Sequence, residues 1–189
     1  VDYQLQVFTD HTEIARLANG AISDSQEVLV DTTVQDSGGA IALGDVNHDG
    51  RLDVVLGSIA AGGAQAKTYL NNGDLTFTLA STTTPTISAD SNIQNMAIGD
   101  VNNDGNLDLV LVEHNRIANT IQVKAFIGDG AGGFSATPID LGVNLGNQPL
   151  SGMNELVVED VTGDGLDDLI LGTSDSTNTN DEIRVYRND

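Results

Sequence analysis

Apolar residues in this chain come in short runs of about four to six, rich in Val, Ile and Leu and bounded by Gly, Asp and Asn. Runs of that length and β-branched content predict buried strands, because the helices of globular domains need longer stretches with a 3.6-residue period. Residues 40–44, 96–99 and 156–159 each lead into a polar, glycine-containing stretch, and residues 52–57, 107–112 and 168–172 lead out of it. The chain reads as strand, loop, strand three times over.

The loops themselves are near copies: Asp45-Val-Asn-His-Asp-Gly-Arg-Leu-Asp53, Asp100-Val-Asn-Asn-Asp-Gly-Asn-Leu-Asp108 and Asp160-Val-Thr-Gly-Asp-Gly-Leu-Asp-Asp168. Oxygen-bearing side chains stand at positions one, three, five and nine: Asp45, Asn47, Asp49 and Asp53; Asp100, Asn102, Asp104 and Asp108; Asp160, Thr162, Asp164 and Asp168. Position seven, occupied by Arg51, Asn106 and Leu166, completes the five positions assigned to each ion. A glycine at position six permits the sharp turn that wraps an ion. Carboxylates this close repel by roughly 1 kcal/mol per pair even in water, so three such loops predict a counter-ion. Calcium suits an all-oxygen set in flexible geometry better than magnesium, which demands a strict octahedron. The expected complement is three Ca²⁺ ions.

An EF-hand begins the same way, but it needs a bidentate Glu at position twelve and flanking helices, and position twelve here is Leu56, Leu111 and Leu171. The ion is therefore expected in a strand-to-strand hairpin. Residues 41–57, Ile-Ala-Leu-Gly-Asp-Val-Asn-His-Asp-Gly-Arg-Leu-Asp-Val-Val-Leu-Gly, and their two copies resemble the FG-GAP repeat, also called the VCBS repeat, of integrin alpha-subunit propellers and bacterial surface proteins. The resemblance implies an all-β fold, a β-propeller of four-stranded antiparallel blades with calcium between the first two strands of a blade. Thr162 departs from the Asn or Asp expected at position three, which implies a weaker third site or a different use of that residue.

The loops begin 55 residues apart (45 to 100) and then 60 apart (100 to 160), spacings that fit one four-stranded blade each. After the first loop a Gly/Ala-rich link at 60–66, a third strand at 67–70, an Asn72-Gly73 turn and a fourth strand at 75–80 are expected. The second unit repeats the plan with strands at 120–127 and 134–141 about an Asp129-Gly130 turn. Toward the N terminus the same ruler places strands two, three and four at 3–9, 13–17 and 27–32; toward the C terminus, strands one, two and three fall at 156–159, 168–172 and 182–187. About fourteen strands result, in a partial blade at 1–38, blades at 39–93 and 94–152, and a partial blade at 153–189. Three to four blades leave unpaired edges, which predicts completion by further blades of a longer chain or by another copy, or an internal closure by the N-terminal strands. The start at Val1 suggests a processed or excised piece.

Twenty-eight acidic residues against seven basic ones give a net charge of −21, and three Ca²⁺ would lower it by six, to −15. Such a surface argues against nucleic acid and anionic membranes as partners. No apolar run approaches the ~20 residues of a membrane span. There are no cysteines. Calcium loops of this kind point to an extracellular or cell-surface location, where the ion is abundant. His11, His48 and His114 share no ligand spacing, and no nucleophile elbow is present. Glu113, Glu155 and Glu159 lie near strand ends, and Tyr69, Phe126 and Tyr186 occupy matching places on third strands, where core packing is the expectation. The expected function is non-catalytic adhesion or recognition of a protein or glycan, with a lectin or an accessory domain of a secreted enzyme as alternatives.

Overall fold

The computed structural model describes residues 5–8, 27–31, 40–60, 63–74, 76–87, 91–115, 117–118, 120–139, 141–143, 150–175 and 182–189. Among these residues there are strands and no helix, hence none that could cross a membrane. The strands are β1 (Leu5–Phe8), β2 (Glu27–Asp31), β3 (Ala40–Gly44), β4 (Asp53–Ala60), β5 (Gly63–Asn71), β6 (Phe77–Thr83), β7 (Ser91–Gly99), β8 (Asp108–Asn115), β9 (Thr120–Phe126), β10 (Leu150–Glu159), β11 (Asp168–Asp175) and β12 (Glu182–Tyr186). All pairings are antiparallel between strands consecutive in sequence: β3-β4-β5-β6 form a four-stranded sheet, β7-β8-β9 and β10-β11-β12 three-stranded sheets, and β1-β2 a pair.

The three larger sheets stack in sequence order, with β3 against β7 and β7 against β10. The middle sheet is covered on both faces, which is why β8 reads Leu-Val-Leu-Val without alternation. On one face its large residues Met96, Leu109, Leu111 and Phe126 meet the small ones Ala40, Ala42, Ala64 and Ala66 of the β3–β6 sheet. On the other, Ala97, Val110, Val112 and Ala125 meet Leu156, Val158, Leu169 and Leu171 of the β10–β12 sheet. Each junction sets a bulky face into a shallow one, which lets two sheets approach without voids. The aromatics follow the same rule. Tyr69, Phe126 and Tyr186 lie directly opposite Val54, Leu109 and Leu169 on the preceding strand; Tyr69 and Phe126 are buried and Tyr186 packs against the second core, as expected.

Several expectations need correction. The described part of the stretch expected as a link at 60–66 is strand: Ala60 of β4 pairs with Gly63 of β5, and Ala64 and Ala66 lie in the core against the neighbouring sheet. The Asn72-Gly73 turn is longer than two residues, closing through Asn72 N–H to Thr76 O at 3.0 Å with Gly73 at φ 83°. The fourth strand expected at 134–141 reduces to two isolated bridges, Gly128↔Phe134 and Ala125↔Ile139. Pro138 has no N–H to donate to a ladder there. β1 pairs directly with β2, with no strand between them in the sheet; the strand expected at 13–17 lies outside the described residues. Among the described residues, β1 and β2 pair with each other in a sheet separate from β10–β12. The described residues do not close a ring.

Candidate metal centres

Each Asp-rich loop joins the first two strands of a sheet, and all three fold by the same local rules. Positions four and six both adopt the left-handed backbone: His48, Asn103 and Gly163 at φ 60°, 57° and 77°, and Gly50, Gly105 and Gly165 at φ 84°, 88° and 88°. Glycine at six was legible in the sequence, but the left-handed turn at four was hidden under His48. His and Asn are among the non-glycine residues that tolerate this region best.

Those two turns roll the loop's own amides onto its acids. The position-one carboxylate accepts from the amides of positions five and six: Asp45 from Asp49 at 3.0 Å and Gly50 at 2.8 Å, Asp100 from Asp104 at 3.1 Å and Gly105 at 2.8 Å, Asp160 from Asp164 at 3.2 Å and Gly165 at 2.8 Å. The position-five carboxylate accepts from the amide of position seven, so Arg51, Asn106 and Leu166 each donate to Asp49, Asp104 and Asp164. At position three, Asn47 and Asn102 accept the position-five amide and donate to the position-five carboxylate. Thr162 is used differently, its amide turning to Asp168 at 3.1 Å.

Position nine carries a second role that the sequence reading missed. Asp53, Asp108 and Asp168 are fully buried. One oxygen of each accepts the amide of position two, Val46, Val101 or Val161. The other accepts the amide two residues beyond the third-strand aromatic: Asn71 at 2.8 Å, Gly128 at 2.8 Å and Asn188 at 3.0 Å. The acid thus ties its loop to the end of the third strand. The signal was present as a repeated spacing, with the aromatics Tyr69, Phe126 and Tyr186 each two residues before the donor.

Burial raises the carboxyls of Asp53 and Asp108 above the ordinary range, against the pull of their bonded amides and with help from neighbouring acids. At Asp168 the balance reverses, and the Asn188 amide foremost holds the carboxyl low. Asp104 is also held low, by the Asn106 amide and then the Asn102 side chain.

Neighbouring loops touch. His48 is exposed and meets Asn106 of the second loop at 3.2 Å. The amide of Asp100 donates to Asp167 of the third loop at 2.8 Å, and the Asn188 side chain donates to Val101 O at 3.1 Å. Two position-five acids are paired with arginines, Asp49 with Arg51 and Asp164 with Arg187. Of the other residues singled out, Glu113 is buried and ion-paired with Lys124 at 2.7 Å, Glu155 and Glu159 are exposed, His114 stands beside Gln94, and His11 lies outside the described residues.

Among the described residues, His, Asp and Glu side chains form no ready-made ion cluster of three or more. The loop acids are instead turned onto amides. A carboxylate offers about four lone-pair sites, so one or two amide bonds leave room for a cation. The donors at positions one, three, five and nine are all oxygens, a set that fits a hard ion such as calcium and not a soft one.

Residues 58–111 match the family described as FG-GAP-like repeat. The match runs from Ser58 in β4 to Leu111 in β8 and contains the second loop whole, so the chain carries an FG-GAP-like repeat over that stretch. No curated protein matches the chain.

Proposed function

We propose that this chain, with its FG-GAP-like repeat, is a calcium-binding β-propeller module that serves adhesion or recognition of a protein or glycan outside the cell, without catalysis of its own. One observation carries the reading: three loops repeat the same amide-bonded frame with oxygen donors at positions one, three, five and nine, nine of those donors being aspartates. Asp45, Asn47, Asp49 and Asp53 would hold one ion, Asp100, Asn102, Asp104 and Asp108 a second, and Asp160, Asp164 and Asp168 with Thr162 a third. Position seven, which already orients the position-five acid through its amide, belongs to the same frame. A divalent ion supplies positive charge where acids crowd, and needs no redox or acid–base chemistry.

The ion's role is structural. Position nine ties the loop to the third strand, so whatever fixes the loop also fixes the strand beyond it. The stacked sheets then serve as a rigid frame whose exposed loops meet a partner, and the extracellular assignment follows from the calcium levels such modules need. Binding only the folded state stabilises it by about 2.7 kcal/mol per site at a hundredfold excess over Kd. Melting in calcium and in EDTA tests this: a fall of many degrees on chelation is expected, and coincident curves would refute the metal reading.

A further inference from the structure

The three loops differ in what surrounds them, and the second stands apart twice. Its position-five acid, Asp104, is bonded to Asn102 and Asn106 and has no arginine partner among the described residues. Asp49 and Asp164 each have one. A guanidinium on a ligand must be displaced before a cation can use that oxygen. In addition, the Asp100 amide rests on the carboxylate of Asp167, which belongs to the next loop.

Asp167 sits at position eight, where the first two loops carry Leu52 and Leu107. Leu107 reaches the preceding sheet at Gly44, where an added Cβ would lie 3.0 Å from its Cδ1. Asp167 makes the equivalent approach at Gly99, where an added Cβ would lie 2.9 Å from its Oδ2. A glycine at the end of the first strand is what admits the neighbour's side chain. At the first junction that side chain is apolar; at the second it is an anion resting on the residue that opens the second loop.

We propose that Asp167 is an outer-sphere residue of the second ion loop, lent by the third, and that it makes the second loop the tightest calcium site of the three. This rests on the calcium reading above and deepens it. Its charge adds to those of Asp100, Asp104 and Asp108 without occupying a coordination position, and its bond to the Asp100 amide fixes the residue from which the first ligand projects. The first loop has neither aid, since the corresponding neighbour is Leu107 and the corresponding acid is paired with Arg51.

The test is a calcium titration of the full chain followed by amide NMR, which reads residues 45–53, 100–108 and 160–168 separately. In wild type, residues 100–108 should saturate first. Asp167→Asn keeps an acceptor for the Asp100 amide and removes the charge; it should weaken the second loop by about five- to tenfold at low salt, the scale of one unit charge acting on a nearby divalent ion. Near 1 M salt that deficit should shrink to about twofold or less. Asp167→Glu should bind as wild type, and the first loop should be indifferent to both changes. An Asp167→Asn second loop with wild-type affinity, or a first loop that fills before the second in wild type, overturns the proposal. Loops that ignore calcium altogether would overturn the metal reading itself, a distinct result.

Discussion

Asp108 and Gly128 are 20 positions apart in the chain, and the buried carboxylate of the first accepts the amide hydrogen of the second at 2.8 Å. The other oxygen of Asp108 accepts from Val101 at 3.2 Å, so one side chain holds the start of a loop and the end of a third strand together. Asp53 and Asp168 do the same in their own sheets. This makes the aspartate a structural residue as well as a candidate ligand, and the two roles can be separated.

Asp108→Ala should destabilise the protein even with calcium chelated. It strands two amides that lose a charged acceptor, a loss of about 1.5–3 kcal/mol for each bond of this kind that is broken. Urea unfolding in EDTA measures it, and a loss under 1 kcal/mol would mean that the carboxylate matters only for ion binding.

Two glycines should respond differently to the same change. An alanine Cβ at Gly99 would collide with Val158 and the Asp167 carboxylate, at the junction of two sheets. Gly99→Ala should therefore cost on the order of 1–3 kcal/mol through overpacking and should weaken the contact between β7 and β10. At Gly50 nothing lies within 4 Å of an added Cβ, and only the backbone at φ 84° objects. Gly50→Ala should cost about 1–2 kcal/mol and leave the sheet junctions intact. Hydrogen exchange in β10 distinguishes the two: faster for Gly99→Ala, unchanged for Gly50→Ala.

The hydrophobic core should be as uneven as the exposures imply. Phe126 is inaccessible to solvent, whereas Ile183 is 81% exposed. Phe126→Ala should cost about 3–5 kcal/mol, and Ile183→Ala less than about 0.5 kcal/mol. Thermal or urea unfolding of the two variants side by side checks this, and equal losses would show that Ile183 is covered in solution.

Much of this was legible in the residues because one signal, the Asp-rich loop between apolar runs, repeats three times with its flanks. It located the loop-side ends of β3, β4, β7, β8, β10 and β11 to within a residue, although β7 and β10 begin at Ser91 and Leu150, well before the expected 96 and 156, and the repeat spacing with its turns gave the third strands. What escaped was decided by neighbours in space. Ala64 and Ala66 look like linker residues until they are seen against Met96 and Leu109 of the next sheet. The 134–141 stretch has strand-like residues, yet among the described residues it forms two isolated bridges, Ile139 to Ala125 of β9 and Phe134 to Gly128 beyond it, and no continuous ladder. The pairing of β1 with β2 is long-range and has no local marker. The double duty of Asp53, Asp108 and Asp168 was concealed because a ligand role already accounted for an acid at that position.

In calcium-free protein the acids at position nine should act in opposite senses with pH. Asp53 and Asp108 have folded-state carboxyls raised by burial. Ionisation of such a group weighs against the fold, so stability rises as pH falls through the raised value and the gain is complete below the ordinary carboxylate pKa of about 3.9. Asp104 and Asp168, held low, contribute stability that is present above that ordinary value and lost as pH falls through the depressed one. Asp108→Asn should therefore flatten the rise in stability on mild acidification in EDTA, relative to wild type. Denaturant midpoints from neutral pH down to the ordinary carboxylate value of about 3.9 give the comparison, and parallel curves would contradict it.

Calorimetric titration of metal-free protein with calcium tests the proposed ions of the three loops most directly. Three ions per chain are expected, falling to two when Asp49 or Asp104 is replaced by alanine. A titration with no binding heat and no saturable stoichiometry, in protein whose unfolding curve shows it to be folded, would contradict the account.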